Sequence, residues 1–217
     1  LLDQMDARGV TFAPASGRQV WTLIDMFPGR PGMTVIGENG GIVMRDGVEV
    51  SSSPLDAPTM REAVRLVREA TSGPDGIDGG LVMCGKQFAY VERTDDRFVD
   101  GVLPYYHRTK RVDDQIAIID AIEAGQIDDA IVKLAVYVIG PVQALAEATL
   151  ARFADTHQYA VSGVNWADLQ IRGVDKGSAV RDLQRFLGVD RSQTAVFGDA
   201  GNDLSMMSEG DLSFAMA

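Results

Sequence analysis

The chain has 217 residues, 46% of them hydrophobic and 24% charged, which is enough for one large domain or two modest ones with buried cores. A formal net charge of −11 and a pI of about 4.6 argue against nucleic acid or an anionic membrane as a partner, because both reward basic surface. One cysteine, Cys84, excludes an intrachain disulfide framework, and the two histidines, His107 and His157, lack metal-ligand spacing and argue against histidine-based nucleophilic catalysis. No apolar stretch approaches a membrane span and no signal peptide opens the sequence, so a cytoplasmic location is expected.

Leu1–Arg8 has the spacing of an amphipathic helix, with Gly9 as its C-cap, and it begins without a start signal. Val10–Ala13 is a short strand candidate. Ala15-Ser16-Gly17-Arg18 follows it directly, and a hydroxyl and a glycine at a strand end suit phosphate through Oγ and backbone N–H groups. Taken alone, the same residues also make an ordinary strand-to-helix turn with Ser16 as N-cap. Gln19–Phe27 reads as a helix ended by Pro28-Gly29-Arg30-Pro31-Gly32. Met33–Ile36 is a strand and Glu38-Asn39-Gly40-Gly41 a turn. Ile42–Met44 and Val48–Ser51 flank Arg45-Asp46-Gly47, a strong hairpin signal.

Ser51–Pro58 is rich in Ser and Pro and reads as a linker. After it the pattern changes. Met60, Ala63, Val64 and Val67 mark a helix face, and Leu81–Met83 with Gln87–Val91 a strand pair around Cys84-Gly85. Residues 94–111 carry no readable pattern. Val112, Ile116, Ile119 and Ile122 give a second helix, and Ile131–Ile139 a strand. Pro141 opens a third helix whose face carries Val142, Leu145, Thr149 and Phe153. Tyr159–Ser162 and Trp166–Arg172 are two further strands. This order predicts an α+β module with an antiparallel sheet covered on one face.

Gly173–Gly177 returns the chain to its first module. Lys176 stands at the start of a helix marked by Ala179, Val180, Leu183, Phe186 and Leu187 and ended by Gly188. A cation is disfavoured there by the helix dipole unless an anion is near; the plain alternative is a surface lysine. Thr194–Phe197 reads as a buried strand broken by Gly198. Asp199 and Asp203 follow, one helical turn apart if a helix starts here, so both acids are expected to face one crevice at the strand end. Asn202 adds an amide that can bind an oxygen-rich ligand. Carboxylates so placed suit Mg²⁺, which binds a few carboxylates, water and substrate phosphate. The competing reading is a helix cap. Leu212–Ala215 is one more strand candidate.

Gly198-Asp199-Ala200-Gly201-Asn202-Asp203, continued by Met206-Met207, resembles the fourth motif of the haloacid dehalogenase superfamily of phosphohydrolases. Val174-Asp175-Lys176-Gly177 resembles its third motif, and Ser16-Gly17-Arg18 its second. The whole chain is similar to the Cof-type sugar-phosphatase branch (type IIB), which inserts a large cap between the second and third motifs. The resemblance implies an α/β, Rossmann-like core at residues 1–56 and 173–217, an α+β cap at 57–172, and a core incomplete at both termini. The first motif, Asp-x-Asp-Gly-Thr, occurs nowhere in residues 1–217, so the aspartate nucleophile is expected upstream.

By the same resemblance, Asp199 binds Mg²⁺, and Asp203 sits behind it or pairs with Lys176. Lys176 neutralises the nucleophile and phosphoryl oxygens. Ser16, Gly17 and Asn202 hold phosphate, and Arg18 and Asn39 are possible substrate contacts. The implied activity is Mg²⁺-dependent hydrolysis of small phosphorylated metabolites, sugar phosphates first, through an aspartyl-phosphate. A phosphomutase or a non-catalytic phosphate-ligand-binding relative shares the motifs. The expected partner is a small metabolite, with neither nucleic acid nor membrane, and the expected state a monomer or small homo-oligomer.

Overall fold

The computed structural model describes residues 1–30 and 32–216. Pro31, in the run expected to end the second helix, lies outside them. The chain divides into two compact units, Leu1–Ser52 with Val174–Ala217, and Ser53–Gly173. It is a mixed α/β protein. No helix among the described residues is long and apolar enough to cross a membrane.

The first unit opens with α1 (Leu2–Asp6) and α2 (Val20–Asp25), followed by an antiparallel sheet of β1 (Val35–Gly37), β2 (Ile42–Arg45) and β3 (Val48–Ser52). The strand expected at Val10–Ala13 does not form. In its place is one parallel bridge, Ala15 to Ile36, flanked by hydrogen bonds from Ser16 N to Ile36 O and from Ile36 N to Pro14 O, both 2.9 Å. Pro14 can accept but has no N–H to donate, which limits the ladder there. Between β2 and β3, Asp46 and Gly47 take φ values of 51° and 75°, the left-handed pair that tight hairpins favour.

The second unit begins with α3 (Ala57–Thr71), capped by Asp56, whose carboxylate accepts from Thr59 N at 2.9 Å. Then come β4 (Gly79–Gly85), β5 (Ala89–Val91), α4 (Asp96–Val102), β6 (Thr109–Arg111), α5 (Gln115–Glu123), β7 (Ile131–Val138), α6 (Gln143–Ala148), β8 (His157–Val161) and β9 (Trp166–Ile171). The strands form one six-stranded sheet in the order β6-β5-β4-β7-β9-β8, antiparallel except for β5 and β6.

Both faces of this sheet carry an apolar cluster, which corrects the expectation of a single covered face. On one face, α3, α5 and α6 pack against Leu81, Met83, Leu134, Val136 and Leu169. On the other, Phe98, Val99 and Val102 of α4 pack against Val82, Val91 and Ala135. Burying Phe98 alone contributes roughly 2 kcal/mol. Seven residues are too few to show helical periodicity, which is why residues 94–111 carried no pattern. Gly101 lets α4 press onto the sheet, since a Cβ there would lie 2.2 Å from Tyr137 Oη. The third helix expected to run from Pro141 to Phe153 is broken at Thr149, where φ is −123° and ψ −88°, and a 3₁₀ turn, Leu150–Phe153, replaces its end. The buried Thr149 hydroxyl donates to Leu145 O at 2.5 Å, a back-bond that competes with helix continuation.

The chain returns to the first unit through α7 (Lys176–Leu187), β10 (Ala195–Gly198), α8 (Leu204–Met207) and β11 (Leu212–Ala215). A reciprocal cap between Asp175 and Ser178 starts α7, and Gly188 at φ 67° ends it. The apolar face of α7 (Ala179, Val180, Leu183) packs with Ile36, Val43 and Met206. β10 pairs in parallel with β11 and is only half buried: Val196 points inward, whereas Phe197 is 57% exposed and stacks on Phe214 at 4.8 Å. Alternation along a strand sends neighbouring side chains to opposite faces, so the apolar run did not imply burial on both.

Gly40 joins the two sequence segments of the first unit. Its φ is +97°, and a Cβ built there would meet Asp175 O at 2.1 Å. Gly40→Ala is therefore expected to destabilise by about 3 kcal/mol or more, from left-handed strain and backbone clash together. Gly47→Ala, at φ +75° with nothing within 4 Å of its Cβ, should cost only about 1–2 kcal/mol. Urea denaturation of the two variants checks the difference.

Candidate active site

The site is built on the turn after β10. Gly198 lets the chain fold back, because a Cβ there would lie 2.6 Å from Asp203 Cβ. A 3₁₀ turn, Gly201–Asp203, then brings the Asp203 carboxylate under the turn, where its Oδ2 accepts from Asp199 N at 2.9 Å and Ala200 N at 3.0 Å. Its Oδ1 accepts from Lys176 Nζ at 2.5 Å, and both side chains are buried. Lys176 is the first residue of α7, at the positive end of the helix dipole, so the Asp203 charge offsets two penalties, burial and the dipole. Burial pushes the Asp203 carboxyl up. The Lys176 hydrogen bond, the two backbone N–H donors and the lysine charge outweigh it, and the group ends below the usual carboxylate range.

The two acids thus differ, contrary to the expectation that both face one crevice. No α-helix starts at Asp199, so the four-residue spacing does not place them on one face. Asp203 is buried and engaged at both oxygens, whereas Asp199 is exposed at the strand end, with its backbone fastened by Asp203. Gly177 backs this corner: its N–H donates to Ser205 Oγ at 3.1 Å, and a Cβ there would lie 2.4 Å from Ser205 O.

A second group of predicted residues meets around Asn39, which sits in a 3₁₀ turn, Glu38–Gly40, at φ 51°. Asn39 N donates to Ser16 O at 2.9 Å, and Asn39 Oδ1 accepts from Asn202 Nδ2 at 3.1 Å. A Cβ at Gly17 would lie 3.0 Å from Asn39 Oδ1, so glycine is what lets the Asn39 amide lie against this turn. Arg18 N donates to Ser16 Oγ at 3.3 Å, and Arg18 O accepts from Glu38 N at 2.9 Å. The structure therefore brings Ser16, Gly17, Arg18, Asn39 and Asn202 together, and Lys176 with Asp203 beside Asp199. Ser205 and Gly40, which hold the start of α7, were missed by sequence reasoning. The Asn39-Gly40 dipeptide signalled a turn but not its partner.

Among the described residues no group of three or more His, Cys, Asp or Glu side chains is placed to hold a metal ion. One exposed carboxylate, Asp199, fits Mg²⁺, which needs only one or two carboxylates beside water and phosphate oxygens. It does not fit a closed protein cage. Two cavities, of about 500 and about 410 Å³, lie elsewhere, and no residue of this cluster lines either. The convergence of polar groups, rather than cavity size, marks the site.

Residues 1–217 match the sequence profile described as haloacid dehalogenase-like hydrolase. The 5-amino-6-(5-phospho-D-ribitylamino)uracil phosphatase YbjI of Escherichia coli (strain K12) is 33% identical over 220 residues, covering 98% of this chain and 74% of that protein. Among solved structures, a protein from Eubacterium rectale superposes with a TM-score of 0.79 at 21% identity, over 99% of this chain and 77% of its own. The subclass IIB sugar phosphatase BT4131 superposes with a TM-score of 0.73 at 16% identity, over 99% and 77%. At these identities the superpositions speak for the fold.

The Asp203 environment has a pH consequence. A carboxyl held below its ordinary value of 3.8 adds stability that is fully present above that value and is lost as pH falls through the lower folded value. Asp203→Asn should cost on the order of 3 kcal/mol at neutral pH, since it leaves the Lys176 charge buried without its counter-charge. The gap between wild type and Asp203→Asn should stay constant from pH 7 to about pH 4 and shrink below it. Thermal melts from pH 7 down to pH 2.5 check this.

Proposed function

Because the chain belongs to the haloacid dehalogenase-like hydrolase family, we propose that it is a Mg²⁺-dependent phosphatase of small phosphorylated metabolites, sugar and polyol phosphates in particular. The first unit is read as the hydrolase core and the second as the cap. The observation that carries the reading is the buried Lys176–Asp203 pair, whose carboxylate also fastens the backbone of the exposed Asp199. The phosphatase name of the Escherichia coli relative, with its phosphoribityl substrate, and the sugar-phosphatase name of BT4131 support the substrate class.

In this reading Lys176 neutralises phosphoryl charge. It has three N–H donors, and Asp203 takes one while aiming the side chain. Ser16 Oγ accepts from Arg18 N–H, which leaves its O–H to donate to a phosphate oxygen beside the Gly17 N–H. Asn202, braced by Asn39, donates to the same group. Asp199 holds the cation. The chemistry Mg²⁺ supplies when bound is neutralisation of the phosphoryl oxygens. Asp203, ionised and engaged at both oxygens, positions its neighbours and transfers no proton. No Asp-x-Asp-Gly-Thr occurs in residues 1–217, so this reading takes the attacking carboxylate from outside them. That carboxylate displaces the alcohol from phosphorus, and water then hydrolyses the acyl phosphate.

The test is phosphate release by the full-length protein. Asp199→Asn should lower Mg²⁺-dependent turnover by about 10²-fold and raise the Mg²⁺ concentration needed for half-activity. Lys176→Ala should lower kcat and kcat/KM together by a similar factor. Unchanged turnover in folded Asp199→Asn protein would remove its assignment, and transfer of phosphate between hydroxyls without release would point to a mutase.

A further inference from the structure

The cavity of about 500 Å³ lies wholly within the second unit, and no residue of the candidate active site lines it. Strand register opens it. β4 pairs with β7 from Gly79 onward but with β5 only from Val82 to Cys84, so Gly79–Leu81 have no strand neighbour on the β5 side. The end of α3 and the loop after it line the gap. Val64, Val67 and Leu81 give it an apolar wall of buried side chains. Its size falls within the range of small-molecule sites, roughly 300–1,000 Å³.

One buried polar atom in this wall has no partner. Gln115, the first residue of α5, is 2% exposed and lines the cavity. Its backbone N–H donates to Glu92 Oε1 at 2.6 Å, and its side-chain Nε2 donates to Leu81 O at 3.1 Å and Tyr90 O at 2.8 Å. Two carbonyl acceptors fix which end of the amide is nitrogen, because the flipped amide would set oxygen against both. Among the described residues no donor reaches the Gln115 Oε1 that this orientation leaves over. An acceptor so placed is costly to leave unmade.

The charges around the cavity select against an ionic ligand. Arg68 bridges Glu92 and Asp114, and Arg93 bridges Asp78 and Asp95. An anion would meet those four carboxylates, and a cation would meet two guanidinium groups. Arg68 gives Nε and Nη2 to its carboxylates and keeps Nη1 without a partner among the described residues. The site therefore offers one free acceptor, one free donor and an apolar wall. An amide group carries the complementary N–H and C=O without net charge.

We propose that this cavity is a binding site for a small neutral amide or lactam on an apolar ring, with Gln115 Oε1 accepting its N–H. The proposal is independent of the phosphatase reading. Benzamide, acetophenone and benzoate share one ring and differ at the polar group: the ketone lacks the N–H, and the carboxylate lacks it and adds a charge. Each is titrated into the ¹⁵N-labelled full-length protein, with chemical shifts read at Thr71, Ile77, Gly79 and the Gln115 side-chain amide. Benzamide should bind with a Kd of about 1–10 mM, as expected for so few atoms. Acetophenone and benzoate should bind about tenfold more weakly or less.

Gln115→Met should remove the preference for benzamide over acetophenone. It also strips a donor from Leu81 O and Tyr90 O, so Thr71→Trp supplies a second test. Thr71 lines the cavity and is only partly buried, and a Trp side chain there fills the space without touching the Gln115 hydrogen bonds. Thermal melts establish that both variants are folded. Folded Thr71→Trp protein should lose the shifts at Ile77, Gly79 and Gln115. Benzamide shifts at those residues that survive Thr71→Trp overturn the proposal. So do equal affinities for the three probes in wild type, and the absence of benzamide shifts there at about tenfold higher concentration than the expected Kd.

Discussion

The first unit depends on one buried ion pair. A lysine at the first position of a helix opposes the helix dipole, and burial adds a desolvation penalty. Lys176 stays there because Asp203 meets it at 2.5 Å. The same carboxylate spends its other oxygen on the N–H groups of Asp199 and Ala200. One side chain thus ties the start of α7 to the turn after β10 and sets how Asp199 leaves the backbone. The division of labour between two acids four residues apart follows from this: the buried one is consumed by structure, and the exposed one remains available to a ligand.

Three glycines allow close approaches at that corner, two to backbone and one to a side chain. Gly40 lies against Asp175 O, Gly177 against Ser205 O and Gly198 against Asp203. None of the three has room for a Cβ. Each joins segments that are distant in sequence or folds the chain sharply on itself, so the polar groups are placed by close packing against glycine as well as by their own hydrogen bonds. Such positioning suits phosphoryl transfer, where catalysis is mostly geometry and charge.

The second unit solves a different problem. A six-stranded sheet needs apolar cover, and three helices supply it on one face while α4 supplies it at one end of the other. Along β7 and β9, buried over nearly their whole length, the chemistry changes from aromatic residues at Tyr137 and Trp166 to a charge pair and an amide at Lys133, Asp168 and Gln170. Burial alone does not distinguish these ends. Side-chain type on a shared face does.

Local signals were legible in the sequence. Asp46-Gly47 announced a hairpin because left-handed φ at two successive residues is a local demand that few dipeptides meet. The apolar face of α7 and its Gly188 end were readable from spacing, as was the acidic string after β10 from its compactness. What tertiary structure decided was non-local. Which of Asp199 and Asp203 goes inside depends on Lys176, 27 residues earlier than Asp203, and on the room Gly198 leaves. The strand expected at Val10–Ala13 shrank to one bridge because pairing needs a donor that Pro14 lacks. α4 was hidden because a seven-residue helix makes barely two turns, short of the stretch over which an apolar period stands out, and the sheet beneath it is what selects Phe98, Val99 and Val102. The pairing of Lys133 with Asp168 depends on strand register, which joins residues 35 positions apart and leaves no trace in either local sequence.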